Sequence, residues 1–230
     1  NERKNKQQYA RPARHTYQLC KMKRILPLLM VAMAVASATA RRIADFFVEA
    51  PMYEAAPYID TNMRMDLLDY FRSNLPSKTA NMFGETASIV SESERSLLVN
   101  VGEGVELEYS LAVSGCDSLL VVIETLPTPM PDSKVSLFST DWKAARQASV
   151  MPAPSDWLTD EGRANIESVE LAVPFITASA KFDENDNKLV FTNTIGEYYS
   201  GKDSTASEVA RYLKPQITYR FNGKTFVQTK

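Results

Sequence analysis

The middle of the chain alternates between polar and apolar residues in the manner of half-buried β-strands. Every second residue of the segment VELEYSLAV is apolar, which places one set of side chains on a single face of a strand. The run SLLVVIETL that follows is almost continuously apolar and fits a central strand, and KVSLFST then alternates again. Consecutive strands of this kind predict an antiparallel meander with one covered face. The alternating apolar positions are Val105, Leu107, Tyr109, Leu111 and Val113.

Three prolines separate the last two of these strands, at positions 127, 129 and 131. Each lacks an N–H donor, and each pushes the residue before it towards an extended conformation. The segment is therefore a stiff connector that cannot pair as a central strand. A polyproline-like surface for a partner is the alternative, but the place of the connector between two neighbouring strands already accounts for it.

An amphipathic helix is predicted for residues 58–75, where apolar side chains recur every four residues. Asp60 or Asn62 can cap its start, and Pro76 ends it. Residues 43–48 fit either an edge strand or the beginning of a helix. The recurring apolar residues are Ile59, Met63, Leu67, Phe71 and Leu75.

The rest of the chain follows a linker or long loop predicted at residues 143–155, where small, polar and proline residues gather. Strands are predicted at residues 175–182 and 188–195, and a weak helix at residues 204–214. A last hairpin turns at Asn222-Gly223, because Asn-Gly is the strongest short hairpin signal.

Helices and strands that come in separate runs, without βαβ alternation, indicate an α+β fold in which few helices pack on antiparallel sheets. We expect a helix with a strand meander in residues 41–150, and a second, smaller α+β half in residues 151–230. Asp-Trp occurs at residues 141–142 and again at 156–157. This repetition leaves open whether the two halves are related.

Residues 22–40 have the three parts of a secretory signal peptide: a basic start, an apolar run and a small-residue end. The run is shorter than the ~20 residues of a transmembrane helix. We therefore expect cleavage after Ala40, a periplasmic or secreted protein and no membrane span in the mature chain; a retained anchor is the alternative. Arg41 follows the cleavage point, where a lipoprotein needs a cysteine. Residues 1–21 are interpreted as a non-native upstream extension outside the fold.

The predicted mature part is acidic. Residues 41–230 hold 18 Lys and Arg against 27 Asp and Glu, a net charge of −9, whereas the whole chain carries −2. Binding to nucleic acid depends on basic side chains that neutralise phosphates, so we expect no nucleic-acid partner. Cys116 is the one cysteine left, which excludes an internal disulfide. Beside an apolar run, it is expected to be a small buried side chain.

The predicted mature part also has no histidine, because His15 precedes the cleavage point. This excludes Ser-His-Asp and Cys-His catalysis in their usual forms, zinc sites of the Cys/His kind and proton transfer by imidazole. Carboxylate chemistry, lysine chemistry or no chemistry remains. We predict no cofactor and no metal.

Two segments approach ligand-binding motifs and fail in detail. GEYYSGKDS at residues 196–204 nearly matches a phosphate-binding loop, but Asp203 stands where a hydroxyl should bind magnesium. DENDN at residues 183–187 resembles the start of a calcium loop, but Lys188 and Thr194 replace its required glycine and glutamate. The first segment is equally typical of a loop before a helix, and the second of a polar hairpin between two strands.

Two groups of side chains are candidates for chemistry or binding. Carboxylates for a glycosidase occur on the predicted helix and near residue 160, but no spacing identifies an acid and a base. Four aromatic residues form a candidate binding surface on which a sugar could stack, although tryptophans at element ends more often close a core. The carboxylates are Asp66, Asp69, Asp156, Asp160 and Glu161. The aromatic residues are Trp142, Trp157, Tyr198 and Tyr199.

Three stretches of the sequence carry a family resemblance: ADFF at residues 44–47, DLLDY at residues 66–70 and the proline connector with its strands, ending in Asp141-Trp142. With these stretches the chain resembles a family of exported Bacteroidales proteins, catalogued as domain of unknown function 3256. The resemblance covers most of residues 44–142 and thins beyond Trp157. It implies a secreted α+β protein and supplies no activity and no catalytic residues.

The leading hypothesis is a non-enzymatic cell-envelope protein that binds a protein or glycan partner through a sheet face or edge. One alternative is a carboxylate-dependent hydrolase of envelope polysaccharide, and another is a structural or inhibitory module. A concave pocket lined by two carboxylates would favour the hydrolase, whereas a smooth sheet would favour the binding module.

Overall fold

The computed structural model describes residues 41–127, 130–173, 175–196 and 211–229. The predicted signal peptide, Pro129 and most of the helix predicted at residues 204–214 lie outside these residues. Within the described ranges, no helix has both the length and the apolar character that crossing a bilayer requires. Two antiparallel sheets with few helices form the structure, which confirms the predicted α+β class.

A seven-stranded sheet forms the larger layer, and each strand pairs antiparallel with the next one along the chain. This is the predicted meander. Its strands are β1 (Lys78–Ala80), β2 (Thr86–Glu92), β3 (Ser96–Asn100), β4 (Glu106–Ser114), β5 (Asp117–Leu126), β6 (Asp132–Phe138) and β7 (Ala144–Ser149).

Strand β5 is covered on both faces, which explains its continuous apolar run. Leu120 and Val122 point to one core, and Val121 and Ile123 point to another on the opposite face. Successive side chains alternate between faces, so a strand between two cores must be apolar at every position. The proline connector joins β5 to β6, which pair with each other, as a stiff connector between neighbouring strands should.

Two helices, α1 (Ile43–Glu49) and α2 (Thr61–Arg72), cover one face of the seven-stranded sheet. The carboxylate of Asp60 caps α2 by accepting a hydrogen bond from the backbone N–H of Met63 at 2.9 Å, as the sequence predicts. The helix is shorter than predicted at both ends, and Asn74 beyond it adopts a φ of +54°, which ends the helical conformation before Pro76.

Arg64 is a fully buried cation between the two helices, only 2% exposed. Its guanidinium donates to the carbonyl oxygens of Phe47 at 2.7 Å and of Ala50 at 2.6 Å, and to the hydroxyl of Thr61 at 3.0 Å. The first two carbonyls lie at the end of α1, where backbone acceptors lack the usual i+4 donor and cations are favoured; Phe47 also accepts from the N–H of Ala50 at 3.3 Å. Arg64 therefore fastens α2 to the end of α1.

A four-stranded sheet covers the opposite face and shares a core with the larger sheet. The described residues from Arg41 onward belong to one compact unit, and the predicted division at residue 150 stays a prediction. The strands are β8 (Ala178–Asp183), β9 (Lys188–Asn193), β10 (Gln216–Phe221) and β11 (Phe226–Gln228). Between the sheets along the chain lie a 3₁₀ helix (Pro154–Trp157), α3 (Asp160–Ala164) and α4 (Ile166–Ala172).

Two side-chain amides join the sheets by imitating a strand partner. The amide of Asn187 accepts from the N–H of Val113 at 3.1 Å and donates to its carbonyl at 2.9 Å. Gln147 does the same for Phe226, at 2.8 Å and 3.3 Å. Each amide supplies the donor and the acceptor that a neighbouring strand would offer, so the sheets are joined by polar contacts as well as by the core.

Two expectations about single segments are wrong. Residues 144–149 lie in the predicted linker but form β7, whose small and polar residues are mostly exposed at the sheet margin and therefore lack an apolar alternation. Cys116 is exposed rather than buried, because it lies in the two-residue turn between β4 and β5. The first residue of that turn, Gly115, adopts a φ of +63°, which suits glycine in tight hairpins.

Candidate ligand-binding surfaces

The predicted aromatic surface is divided by the structure. Trp157 is only 3% exposed and packs in the core between the sheets, as expected for a tryptophan that closes a core. Trp142 is half-buried on the helix-covered face, with its ring centroid 5.3 Å from that of Phe138. Tyr198 and Tyr199 lie outside the described residues. The two tryptophans therefore face opposite sides of the seven-stranded sheet, and a binding role for the set stays a prediction.

The segment with the calcium-loop letters forms a polar turn between β8 and β9. The carboxylate of Asp183 accepts from the backbone N–H groups of Asn185 at 2.9 Å and Asp186 at 3.4 Å. Asn187 ends the turn with a φ of +51° and holds Val113. In the described part of the chain, no group of three or more acidic, His or Cys side chains can hold a metal ion. The near-match to a phosphate loop falls on residues that the structure does not describe, apart from Gly196.

The carboxylates that the sequence offered for hydrolysis lie on open surfaces. Asp66 and Asp69 are exposed on α2, and Asp160 and Glu161 are exposed at the start of α3. Asp156 is half-buried, and its carboxylate accepts from the N–H of Ala153 at 2.9 Å, so it caps the 3₁₀ helix. The four exposed carboxylates are solvated, and Asp156 caps a helix. Their positions do not form an acid–base pair.

A cleft of about 290 Å³ opens at the junction of the two sheets, and two other carboxylates line it. We call it the seam cleft. Glu106 and Glu108 are two residues apart on β4 and so face the same side, and Pro127 and Pro131 of the proline connector form part of a wall. The remaining lining residues are Leu98, Thr125, Ser179, Ala180 and Lys181.

Glu108 is the carboxylate of the seam cleft that is held by hydrogen bonds. Its Oε1 atom accepts from the hydroxyl of Ser110 at 3.1 Å and from the backbone N–H of Phe182 at 3.2 Å. Burial raises the pKa of Glu108, because a charge is poorly solvated there. The two hydrogen bonds and the charge of Lys181 oppose this rise, and Glu184 adds to it. A carboxyl group with a raised pKa is a feature of general acids.

Glu108 also has a structural task at the margin of β8. Three alternate backbone N–H groups of this edge strand point away from β9, and side chains of the larger sheet accept from all three. Asp132 accepts from Ala178 at 3.2 Å, Ser133 from Ala180 at 2.8 Å and Glu108 from Phe182. This edge of the four-stranded sheet is therefore closed to an added strand.

The raised pKa of Glu108 predicts a pH-dependent stability. A carboxyl group that binds its proton more tightly in the folded protein makes stability fall as pH rises from its usual pKa, near 4.5, through the raised folded value. Glu108→Gln removes this titration and keeps an acceptor for Phe182. We expect its Tm to exceed that of the wild type by a few degrees at about pH 7.5, and the difference to vanish below about pH 4.

Thermal unfolding across this pH range measures the effect. Glu106→Gln is the matched control, because it changes the neighbouring carboxylate of the seam cleft and keeps Glu108 with both of its hydrogen bonds, so the pH dependence that Glu108 causes should persist in this variant. A Glu108→Gln difference that stays constant from pH 4 to pH 8 would contradict the assigned burial effect.

A second surface is formed by exposed apolar side chains from two loops, and we call it the aromatic edge. Tyr53 is 82% exposed, Phe83 70% and Met82 52%. Tyr58 lies between the loops: its ring centroid is 5.6 Å from that of Phe83, and its carbonyl accepts from the N–H of Met82 at 3.0 Å. Tyr58 adopts a φ of +77°, which is rare and strained for a bulky residue.

Buried polar side chains hold both loops in place. Asn81, 5% exposed, accepts from the N–H groups of Phe83 and Glu85, both at 2.9 Å, and donates to the carbonyl of Val101 at 2.6 Å. The hydroxyl of Tyr109 donates to the carbonyl of Ala55 at 2.7 Å. The aromatic edge is thus carried by ordered loops on the seven-stranded sheet.

A cavity of about 180 Å³ lies beside the aromatic edge, and we call it the edge pocket. Tyr53 and Tyr58 form part of its wall. Glu124, Lys134 and Ser136 supply polar groups from the neighbouring strands β5 and β6, where Glu124 and Lys134 are cross-strand partners. Among the described residues, none of these three side chains has a hydrogen-bond or ion-pair partner within bonding distance. The edge pocket therefore combines aromatic walls with unused donors and acceptors.

A larger cavity, about 640 Å³, is an open groove beside the four-stranded sheet. Its Arg163 donates to the carbonyl oxygens of Leu158 at 3.0 Å and Ser155 at 3.4 Å. This guanidinium thus holds the 3₁₀ helix in place.

The match to known families extends beyond the stretches that suggested a relationship. Residues 35–226 match the family described as protein of unknown function (DUF3256). The chain belongs to this family. The family expected from the sequence is therefore confirmed. The match extends well past Trp157, beyond which the resemblance in the sequence is weak. The family description supplies no activity. No curated protein matches the chain.

A solved structure has the same fold as this DUF3256 protein. It is a domain of an uncharacterized protein from Porphyromonas gingivalis W83, 17% identical, with a TM-score of 0.66. The match covers 83% of this chain and 99% of that domain. At this identity the likeness shows the fold alone.

Two local patterns in the sequence indicate these surfaces, although the predicted sites did not include them. Placing Leu107 and Tyr109 on one face of β4 necessarily puts Glu106 and Glu108 together on the other. Tyr53 and Tyr58 stand in a loop with two prolines, and Phe83 precedes a glycine. Aromatic residues in such turns lie at the surface more readily than those inside strands, and this context singles them out.

Proposed function

We propose that this protein is an exported, non-enzymatic binding module of the cell envelope, which takes a protein or glycan partner at the aromatic edge. The observation that carries the proposal is the exposure of Tyr53 and Phe83 on ordered loops beside the edge pocket. Large exposed apolar side chains gathered in one place mark interaction sites, and aromatic residues are enriched there. The predicted signal peptide of residues 22–40 supports export.

Binding along a sheet edge is less well supported than binding at these loops. The margin of β8 is occupied by three acceptors, and β11 is held by Gln147. At the other end of the larger sheet, β1 has only three residues, and short edge strands resist added strands.

A double variant tests the proposal. Tyr53→Ala with Phe83→Ala should lose at least about tenfold in the signal that the wild-type chain gives on glycan arrays or with envelope-protein extracts, since such aromatic anchors carry much of a binding energy. Tyr70→Ala with Leu75→Ala is the matched control, because these residues are 42% and 55% exposed elsewhere. Equal binding by both double variants would refute the aromatic edge as the binding surface.

The seam cleft favours a second candidate function, a carboxylate-dependent hydrolase of envelope polysaccharide. The specific observation is a cleft with two carboxylates on one face, one of them a carboxyl group with a raised pKa. The Cα atoms of residues two apart on a strand are roughly 6.6 Å apart, and inverting glycosidases hold their two carboxyl groups about 6.5–9.5 Å apart. Polysaccharide turnover that is lost in both folded variants, Glu106→Gln and Glu108→Gln, would establish this function over the binding module.

A further inference from the structure

The polar groups of the edge pocket fit hydroxyl groups better than a charged ligand. Glu124 accepts and Lys134 and Ser136 donate, and these three side chains are not used by the described residues around them. Glu54 also lines the pocket, so acidic and basic side chains nearly cancel, with one negative charge in excess. An anionic ligand would be repelled, whereas a neutral ligand with many hydroxyls can use both the donors and the acceptors.

The aromatic edge adds the apolar part of a sugar site. Tyr58 and Phe83 meet at an interplanar angle of 54°, and Tyr53 lies on the pocket wall. The face of an aromatic ring carries partial negative charge, which attracts the weakly positive C–H groups on one face of a sugar ring. The hydroxyls at the rim of such a ring would then meet the polar floor.

The small size of the surface favours a glycan over a protein partner. A stable protein interface takes about 20 to 30 residues from each side. The aromatic edge has four exposed or half-exposed apolar side chains, and its pocket is about 180 Å³. Such a site suits a small ligand, whose affinity depends on a few aligned groups.

We propose that the edge pocket and the aromatic edge bind an uncharged glycan, with one sugar ring stacked on Tyr53 and its hydroxyls bound by Glu124, Lys134 and Ser136, and with the glycan continuing past Tyr58 to Phe83. This inference rests on the proposed function and names the partner class of the same surface. It also gives a role to the strained Tyr58, whose carbonyl and ring hold Met82 and Phe83 beside the pocket.

Calorimetric titration of the full chain tests the inference, with tetramers of N-acetylglucosamine, glucose and mannose as uncharged probes and tetragalacturonate as an anionic probe. We expect at least one uncharged tetramer to bind more tightly than tetragalacturonate. Tyr53→Ala and Phe83→Ala should each weaken that binding about threefold to tenfold. Glu124→Gln and Lys134→Met should also weaken it, while Tyr70→Ala should leave it unchanged.

Three results would overturn the inference, and they differ in whether the proposed function fails with it. If no uncharged glycan binds, while Tyr53→Ala with Phe83→Ala still loses a protein partner, then only the glycan assignment is wrong. If an uncharged glycan binds equally to the wild type and to this double variant, the binding lies elsewhere and both proposals fail. Tighter binding of tetragalacturonate would also refute an uncharged ligand.

Discussion

Replacement of Arg64 by alanine is expected to lower the free energy of unfolding by about 3–5 kcal/mol. The change leaves the carbonyl oxygen of Ala50 without its donor, at roughly 1–3 kcal/mol, and leaves that of Phe47 with only the N–H of Ala50 at 3.3 Å; it also opens a cavity beside the core of α1 and α2. Desolvation lowers the pKa of Arg64 and makes its burial costly, which offsets part of the loss. Chemical denaturation followed by circular dichroism measures the change.

Two further variants separate the donors of Arg64 from its volume. Arg64→Met refills much of the space without donating, so its loss should be smaller than that of alanine but remain well above 1 kcal/mol, roughly the cost of the unpaired carbonyl of Ala50. Arg41→Ala removes an exposed arginine paired with Glu49 and should cost less than about 1 kcal/mol. A methionine variant as stable as the wild type would show that the hydrogen bonds contribute nothing net.

Replacement of Trp157 by alanine is the second large effect, with an expected loss of about 3–5 kcal/mol, as for large aromatic residues removed from a core. Trp157 is 3% exposed and packs in the core shared by both sheets. Its loss should therefore loosen the contact between the sheets. Thermal or denaturant unfolding, with intrinsic fluorescence of the remaining Trp142, gives the measurement.

Trp142→Ala is the control for Trp157. Trp142 is half-buried, adopts a φ of +58°, and its indole N–H is buried without an acceptor among the described residues. Its removal takes away both the packing against Phe138 and this unpaired donor, so we expect a net loss of only about 1 kcal/mol. A larger loss for Trp142 than for Trp157 would contradict the assignment of the second tryptophan to the shared core.

The parts of the fold that the sequence predicted are those with a strong local cause. The continuous apolar run of β5, the cap at Asp60 and the Asn222-Gly223 turn each depend on a few adjacent residues. Strand β7 was missed because a strand with little buried apolar surface has no period-two signal. The burial of Arg64 was missed because it depends on a long-range contact. The end of α1 meets the start of α2 there, and the sequence does not show this.

The candidate sites depend even more on long-range packing. The seam cleft exists because β8 packs against β5 and β6 and donates a hydrogen bond to Glu108 of β4, and all three strands are separated from β8 by dozens of residues. The edge pocket joins a loop near residue 55 to strands near residues 124 and 134. Periodicity tells which side chains share a face of one strand, but it does not tell which loop from elsewhere in the chain will stand beside them.

The two-sided burial of β5 limits where this chain can be cut. The face with Val121 and Ile123 is apolar only because the four-stranded sheet covers it. A gene fragment that encoded residues 41–150 alone would present that face to water, an apolar surface prone to aggregation. Cutting the chain near residue 150 would therefore uncover the core that both sheets share, so the four-stranded sheet is the cover that keeps the larger sheet from aggregating.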